Sequence, residues 1–137
     1  AAFARTVADD RSIVVSGDQH VDVWADPARI GQVLRNLLVN ASAYSQTGTT
    51  ITLRAERNGH LLSIQVQDEG RGIPEADLTR VFDKYVRGRR SDKATTPGLG
   101  LGLYLSRRIV QAHGHELTVT SPAGCGAIFS FDLEIVE

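Results

Sequence analysis

Apolar residues recur at three- and four-residue spacing through Ile30, Val33, Leu34, Leu37, Leu38 and Ala41, which is one stripe of an amphipathic helix. Asp26 stands where an N-cap belongs and Pro27 suits a first helical position, so the helix is expected to run from there to near Ser45, with Gly48 beyond it. Elsewhere the period is two. Residues 50–56 and 62–67 alternate as strands do and are joined by Asn58-Gly59, a strong short-range hairpin signal. Short β-rich runs at 12–15 and 21–24 flank Ser16-Gly17-Asp18 and predict a second antiparallel hairpin. Pro74-Glu75-Ala76-Asp77 predicts a short helical turn whose apolar face is Leu78, Val81 and Phe82. Periodicity then disappears over 83–97, where Lys84, Arg87, Arg89, Arg90 and Lys93 lie among Gly, Ser and Thr, the pattern of a basic loop. A second helix is expected from about Leu99 to His113, ended by Gly114. Two last strands, 116–121 and 127–134, are linked by Pro122-Ala123-Gly124-Cys125-Gly126.

Strands that come in adjacent pairs, with two long helices between them, predict an α+β fold: a two-layer sandwich in which helices cover one face of a mixed, mostly antiparallel sheet. The 137 residues suit one domain, spanning 1–137. Hydrophobic residues make up 42% and charged ones 23%, ordinary for a globular chain. A net charge of −1 gives no electrostatic case for nucleic acid or an anionic membrane as partner. No apolar run approaches the roughly 20 residues of a membrane span. The chain contains no Met, even at position 1, which predicts that it is part of a longer protein. The single Cys125 has neither a disulfide partner nor metal-ligand spacing around it.

The chemistry concentrates in three places. Asp68 follows the alternating run Leu62, Ile64, Val66 and enters the glycine turn Asp68-Glu69-Gly70-Arg71-Gly72-Ile73-Pro74. A carboxylate there can accept a hydrogen bond from a ligand amino group, and the glycines let backbone approach closely. Gly98-Leu99-Gly100-Leu101-Gly102-Leu103 opens the second helix, a setting suited to phosphate. Asn40 lies on the polar helix stripe Gln32, Asn36, Asn40, Tyr44, whose members are neighbours at four-residue spacing. An amide, a ring-sized slot and a phosphate cradle together indicate a nucleotide. The dinucleotide fingerprint does not fit, because Leu103 stands three residues after Gly100 and no βαβ unit surrounds it.

These residues resemble the ATP-binding domain of sensor histidine kinases, within the larger Bergerat-fold group of ATPases that includes gyrase and the heat-shock chaperones. The resemblance runs from about Asp26 to Phe131 and rests on four boxes in order: Asn36-Leu37-Leu38-Val39-Asn40-Ala41, Asp68-Glu69-Gly70-Arg71-Gly72-Ile73, the Phe82 box, and Gly98–Leu103. It implies that Asn40 binds Mg²⁺ through its amide oxygen. It also implies that Asp68 accepts the adenine amino group, with Gly70 and Gly72 shaping the turn and Ile73 and Leu103 on the pocket wall or in the core. Tyr44 is placed beside the nucleotide or in the core, with equal weight. Gly98, Gly100, Leu101 and Gly102 are expected at the phosphates, with Arg87 as the cationic contact. Hydrolysing members carry Glu at position 36 as a water base; here Asn36 cannot take a proton near neutral pH.

The resemblance therefore implies an ATP-dependent protein-histidine kinase domain that passes the γ-phosphoryl of ATP·Mg²⁺ to a histidine on a separate, upstream dimerisation helix. A response-regulator receiver domain would be the next acceptor, and the parent a homodimer, with this domain on the cytoplasmic side of a membrane-anchored sensor. The alternative is a nucleotide-sensing or scaffolding module of the same fold without transfer. Three departures from the family pattern stand out: Ala43 where Lys is common, Leu99 where Thr or Ser is usual, and His115 where a second Gly often follows Gly114. None of His20, His60, His113 or His115 carries the acceptor pattern, and His113 is read as a helix-end residue favoured by the dipole.

Overall fold

A computed structural model describes residues 12–17, 20–44, 49–70, 72–78, 80–83, 102–122 and 126–136. In chain order these form β1 (Ser12–Gly17), α1 (Pro27–Tyr44), β2 (Thr50–Asn58), β3 (Leu61–Gln67), α2 (Glu75–Leu78), α3 (Gly102–Ala112), β4 (Thr118–Thr120) and β5 (Ile128–Glu134). The five strands make one sheet in the order β1-β2-β3-β5-β4. Only β1 and β2 are parallel; the other neighbours are antiparallel. This is the two-layer, mixed and mostly antiparallel sandwich that the pattern predicts.

Alternation along the central strands sorts the two faces. Leu62, Ile64 and Val66 of β3 and Phe129, Phe131 and Leu133 of β5 are buried, while Ser63, Gln65 and Ser130 between them face outward. The apolar stripe of α1 (Ile30, Val33, Leu37, Leu38, Ala41) packs on that buried face, joined by Val110 of α3. Burying such a side chain contributes about 1.5–3 kcal/mol, so the stripe holds α1 in place far more firmly than its helix propensity could.

The ends of α1 and α3 are tied together. Asp26 Oδ1 accepts from Ala28 N–H (3.0 Å) and Arg29 N–H (3.3 Å), the expected N-cap. At the other end of α3, Gly114 has φ 85°, its N–H donates to Gln111 O (2.9 Å) and His115 N–H donates to Val110 O (3.2 Å), a Schellman arrangement that only glycine enters without strain. His113 does more than sit at a helix end. Its Nδ1 lies 2.8 Å from Ile109 O, and its Nε2 accepts the Asp26 N–H at 3.1 Å. Through these two contacts the ring bridges the start of α1 and the end of α3.

The hairpin expected at 12–15 and 21–24 does not form. β1 lies beside β2 instead, with Ile13 opposite Ile51, and α1 is the crossover that parallel pairing requires. Val21, Val23 and Ala25 do face the core, but the segment makes only an isolated bridge, Val23 to Ile135. Its alternation was a true signal of burial and a false one of partner. The second hairpin forms as expected, with its turn one residue later than the Asn58-Gly59 pair suggests: Asn58 pairs with Leu61, leaving Gly59 and His60 as the loop.

Candidate functional site

Asp68 sits one residue past the end of β3 and is only 2% exposed. Its backbone N–H continues the sheet by donating to Ala127 O (3.1 Å). Its Oδ1 accepts from Gly70 N–H (2.8 Å) and from Ala127 N–H (3.3 Å). The first of these is an Asx turn, which is why Asp suits a strand-to-glycine junction. Two backbone donors on one oxygen compensate the burial of a carboxylate and fix its direction. Gly72 is buried with φ 79°, so the turn does use its glycine. Ile73 packs against the core and its N–H donates to Ser121 Oγ (2.8 Å), which pins the far side of the loop. Glu69 Oε1 accepts the N–H of Thr50 at the start of β2 (2.8 Å).

Asn36 and Asn40 lie one turn apart on α1, both half-buried. Asn36 Nδ2 donates to Gly102 O (3.3 Å) and to Ser106 Oγ (3.1 Å), both in the first turns of α3. Ser106 is fully buried. The Asn36 amide thus braces the helix bearing Asn40 against the helix that the second glycine box opens. That contact holds the start of α3, whose first N–H groups lack intrahelical acceptors, against α1 at Asn36. A carboxylate at 36 would face the Gly102 carbonyl as a second acceptor, so the amide matches its partner chemically. Leu103 packs against the core, as one of its two expected places.

Phe82 stacks edge-on against Phe129 of β5, with centroids 6.1 Å apart and rings at 82°. Arg107 of α3 covers its other side, 5.6 Å from the ring centroid. The Phe82 box therefore fastens the end of the α2 region to the sheet. Arg87, Gly98, Gly100 and Leu101 lie outside the described residues, as do Lys84, Arg89, Arg90, Lys93, Leu99 and Cys125 and the side chains of Ala43 and Tyr44; Tyr44 itself closes α1.

The residues present fit a nucleotide carrying its own cation. Among the described residues no group of three His, Cys, Asp or Glu gathers to hold a metal. Mg²⁺ is commonly bound by one or two carboxylates plus substrate phosphates, so at this site the phosphates would carry most of the cation's coordination and the Asn40 amide oxygen could add one neutral ligand. The sequence had marked Asp68, Gly70, Gly72, Ile73, Asn36, Asn40, Gly102 and Leu103. It had not marked Ser106, Ser121, Gly126 or Ala127, which hold those residues in place. Only the glycines flanking Cys125 hinted at the last two, and they read as a turn.

Comparison with known proteins supplies the family. Residues 25–137 match the family described as "Histidine kinase-, DNA gyrase B-, and HSP90-like ATPase", and the chain belongs to it. It is 38% identical over 122 residues to the sensor histidine kinase WalK of Bacillus subtilis, spanning 88% of this chain and 20% of that protein. It is 40% identical over 114 residues to the adaptive-response sensory kinase SasA of Synechococcus elongatus, spanning 82% of this chain and 29% of that one. The chain thus spans about a fifth to a third of these two relatives. Among solved structures, the mycobacterial sensor histidine kinase MprB superposes with a TM-score of 0.85 at 24% identity, over 98% of this chain and 90% of that one, a likeness of fold. Full-length ShkA in complex with AMPPNP superposes with a TM-score of 0.79 at 25% identity, over 98% of this chain and 30% of that one.

Proposed function

We propose that this chain, as a single domain over 1–137, binds ATP·Mg²⁺ and donates the γ-phosphoryl to a histidine on a separate dimerisation domain of a homodimeric sensor kinase. Asp68 would accept the adenine amino group within the Gly70–Gly72 turn, beside Ile73. Asn40 would supply an oxygen to Mg²⁺, and the residues 98–103, with Arg87, would surround the phosphates. Tyr44 would line the nucleotide, with Leu103 behind it, packed against the core. A receiver-domain aspartate would take the phosphoryl next, on the cytoplasmic side of the membrane; among the described residues no helix is long and apolar enough to cross one.

Asn36 carries this reading. Within a family that contains both hydrolases and kinases, the position held by a water-activating Glu in the former is here an amide already engaged with Gly102 O and Ser106 Oγ. Such a site suits transfer to a nucleophile brought from elsewhere, by positioning and by charge stabilisation of the transferred group. The test mixes the purified chain with radiolabelled ATP·Mg²⁺ and a histidine-bearing dimerisation domain. Label on the histidine is expected, together with very slow ATP hydrolysis by the chain alone. Brisk hydrolysis would contradict the role given to Asn36, and tight ATP binding without transfer would favour the sensing module.

A further inference from the structure

We infer that Gly126 is a positioning residue for ring recognition, because it is the space left by its missing side chain that allows the Asp68 carboxylate to stand where it does. The inference rests on the reading that Asp68 accepts the adenine amino group, and it adds a residue from a different segment to that recognition.

Gly126 is buried and immediately precedes the residue that pairs with Asp68. Space is what excludes a side chain at this position. A Cβ built on Gly126 would overlap the Asp68 carbonyl oxygen and the Asp68 Oδ1, and would lie 2.7 Å from the Asp68 carbonyl carbon. Side chains that meet a flexible tip can push it aside, but here the obstacle is mostly backbone. That backbone is held by Asp68 N–H to Ala127 O and by the adjoining Gln67–Ile128 pair of the β3–β5 ladder. Relieving that overlap requires the Asp68 backbone and its carboxylate to move together, which breaks the bonds from Gly70 N–H (2.8 Å) and Ala127 N–H (3.3 Å) that aim the carboxylate. Gly126 and the two N–H donors therefore act on Asp68 from opposite senses: the donors hold the oxygen, and the glycine leaves it room.

The experiment compares ATP with inosine triphosphate, which has the same phosphate tail but a ring carbonyl in place of the amino group, on the intact chain and on Gly126→Ala. Wild type is expected to prefer ATP. In the variant, ATP affinity should fall about tenfold or more, the scale of one hydrogen bond to a charged group, while inosine triphosphate affinity changes by less than about twofold. Equal weakening of both ligands, or no weakening, overturns the inference. A wild type that binds both equally would instead refute the adenine role of Asp68. If Gly126→Ala folds too poorly to titrate, its loss of melting temperature is measured again in an Asp68→Ala background. The loss should be smaller there, since the Oδ1 overlap is gone; an equal loss in both backgrounds overturns the inference as well.

Discussion

The two ends of the candidate site are held by different means. On the side proposed for the base, Asp68 is fixed by backbone: two N–H donors on one oxygen, a ladder bond to Ala127, and a glycine that admits the carboxylate. On the side proposed for the phosphates, Asn36 reaches across from α1 to α3 through a single amide, to one carbonyl and one hydroxyl. A site anchored by strand backbone can shift only if the sheet shifts. A site anchored by one side chain between two helices can be adjusted by changing that side chain. In the proposed reading, ring recognition would rest on the sheet, and the α1–α3 contact beside the phosphates on a replaceable brace.

Four substitutions sharpen this contrast, beginning with the largest expected effect. Asp68→Ala removes the ring acceptor and leaves Gly70 N–H and Ala127 N–H without it, so ATP affinity should drop about 100-fold by calorimetry, a loss of about 3 kcal/mol. A drop of less than about threefold would show that the base side is not where the ligand is gripped. Asn36→Leu deletes the brace while keeping bulk, and leaves Ser106 Oγ and Gly102 O without its amide. Chemical denaturation should register about 1–3 kcal/mol of lost stability. Ser106→Ala should cost less, and the double substitution less than the sum, because the pair is in direct contact. Additive losses would mean that the brace is not a unit. Ser121→Ala removes the acceptor for Ile73 N–H and should cost about 1 kcal/mol, with the inosine-to-adenine preference unchanged. A changed preference would place the Ile73 side of the loop in ring recognition too.

Most of the architecture was legible from local pattern. The stripe Ile30, Val33, Leu37, Leu38, Ala41 defines α1 because burial of one face dictates a 3.6-residue period, and Asp26-Pro27 marks its start. β3 is legible for the matching reason with a period of two. Pairing at the edge was not. β1 is a short β-rich run and the 21–25 segment alternates, yet partner choice depends on which neighbour covers the face. The parallel β1–β2 pair, joined through the whole of α1, has no short-range signature.

For the candidate site, the sequence by itself pointed to the residues proposed to carry chemistry: a carboxylate at a strand end, amides one turn apart, glycines where backbone must turn. These are legible because each needs a particular functional group, or the lack of one, at one position. Only the tertiary structure decided what holds them. Gly126 lies 58 positions from Asp68 and Ser106 lies 70 from Asn36, and the contact that gives each its role exists only once β5 has paired with β3 and α3 has packed on α1. Support of that kind is made by proximity in space, and no spacing along the chain encodes it.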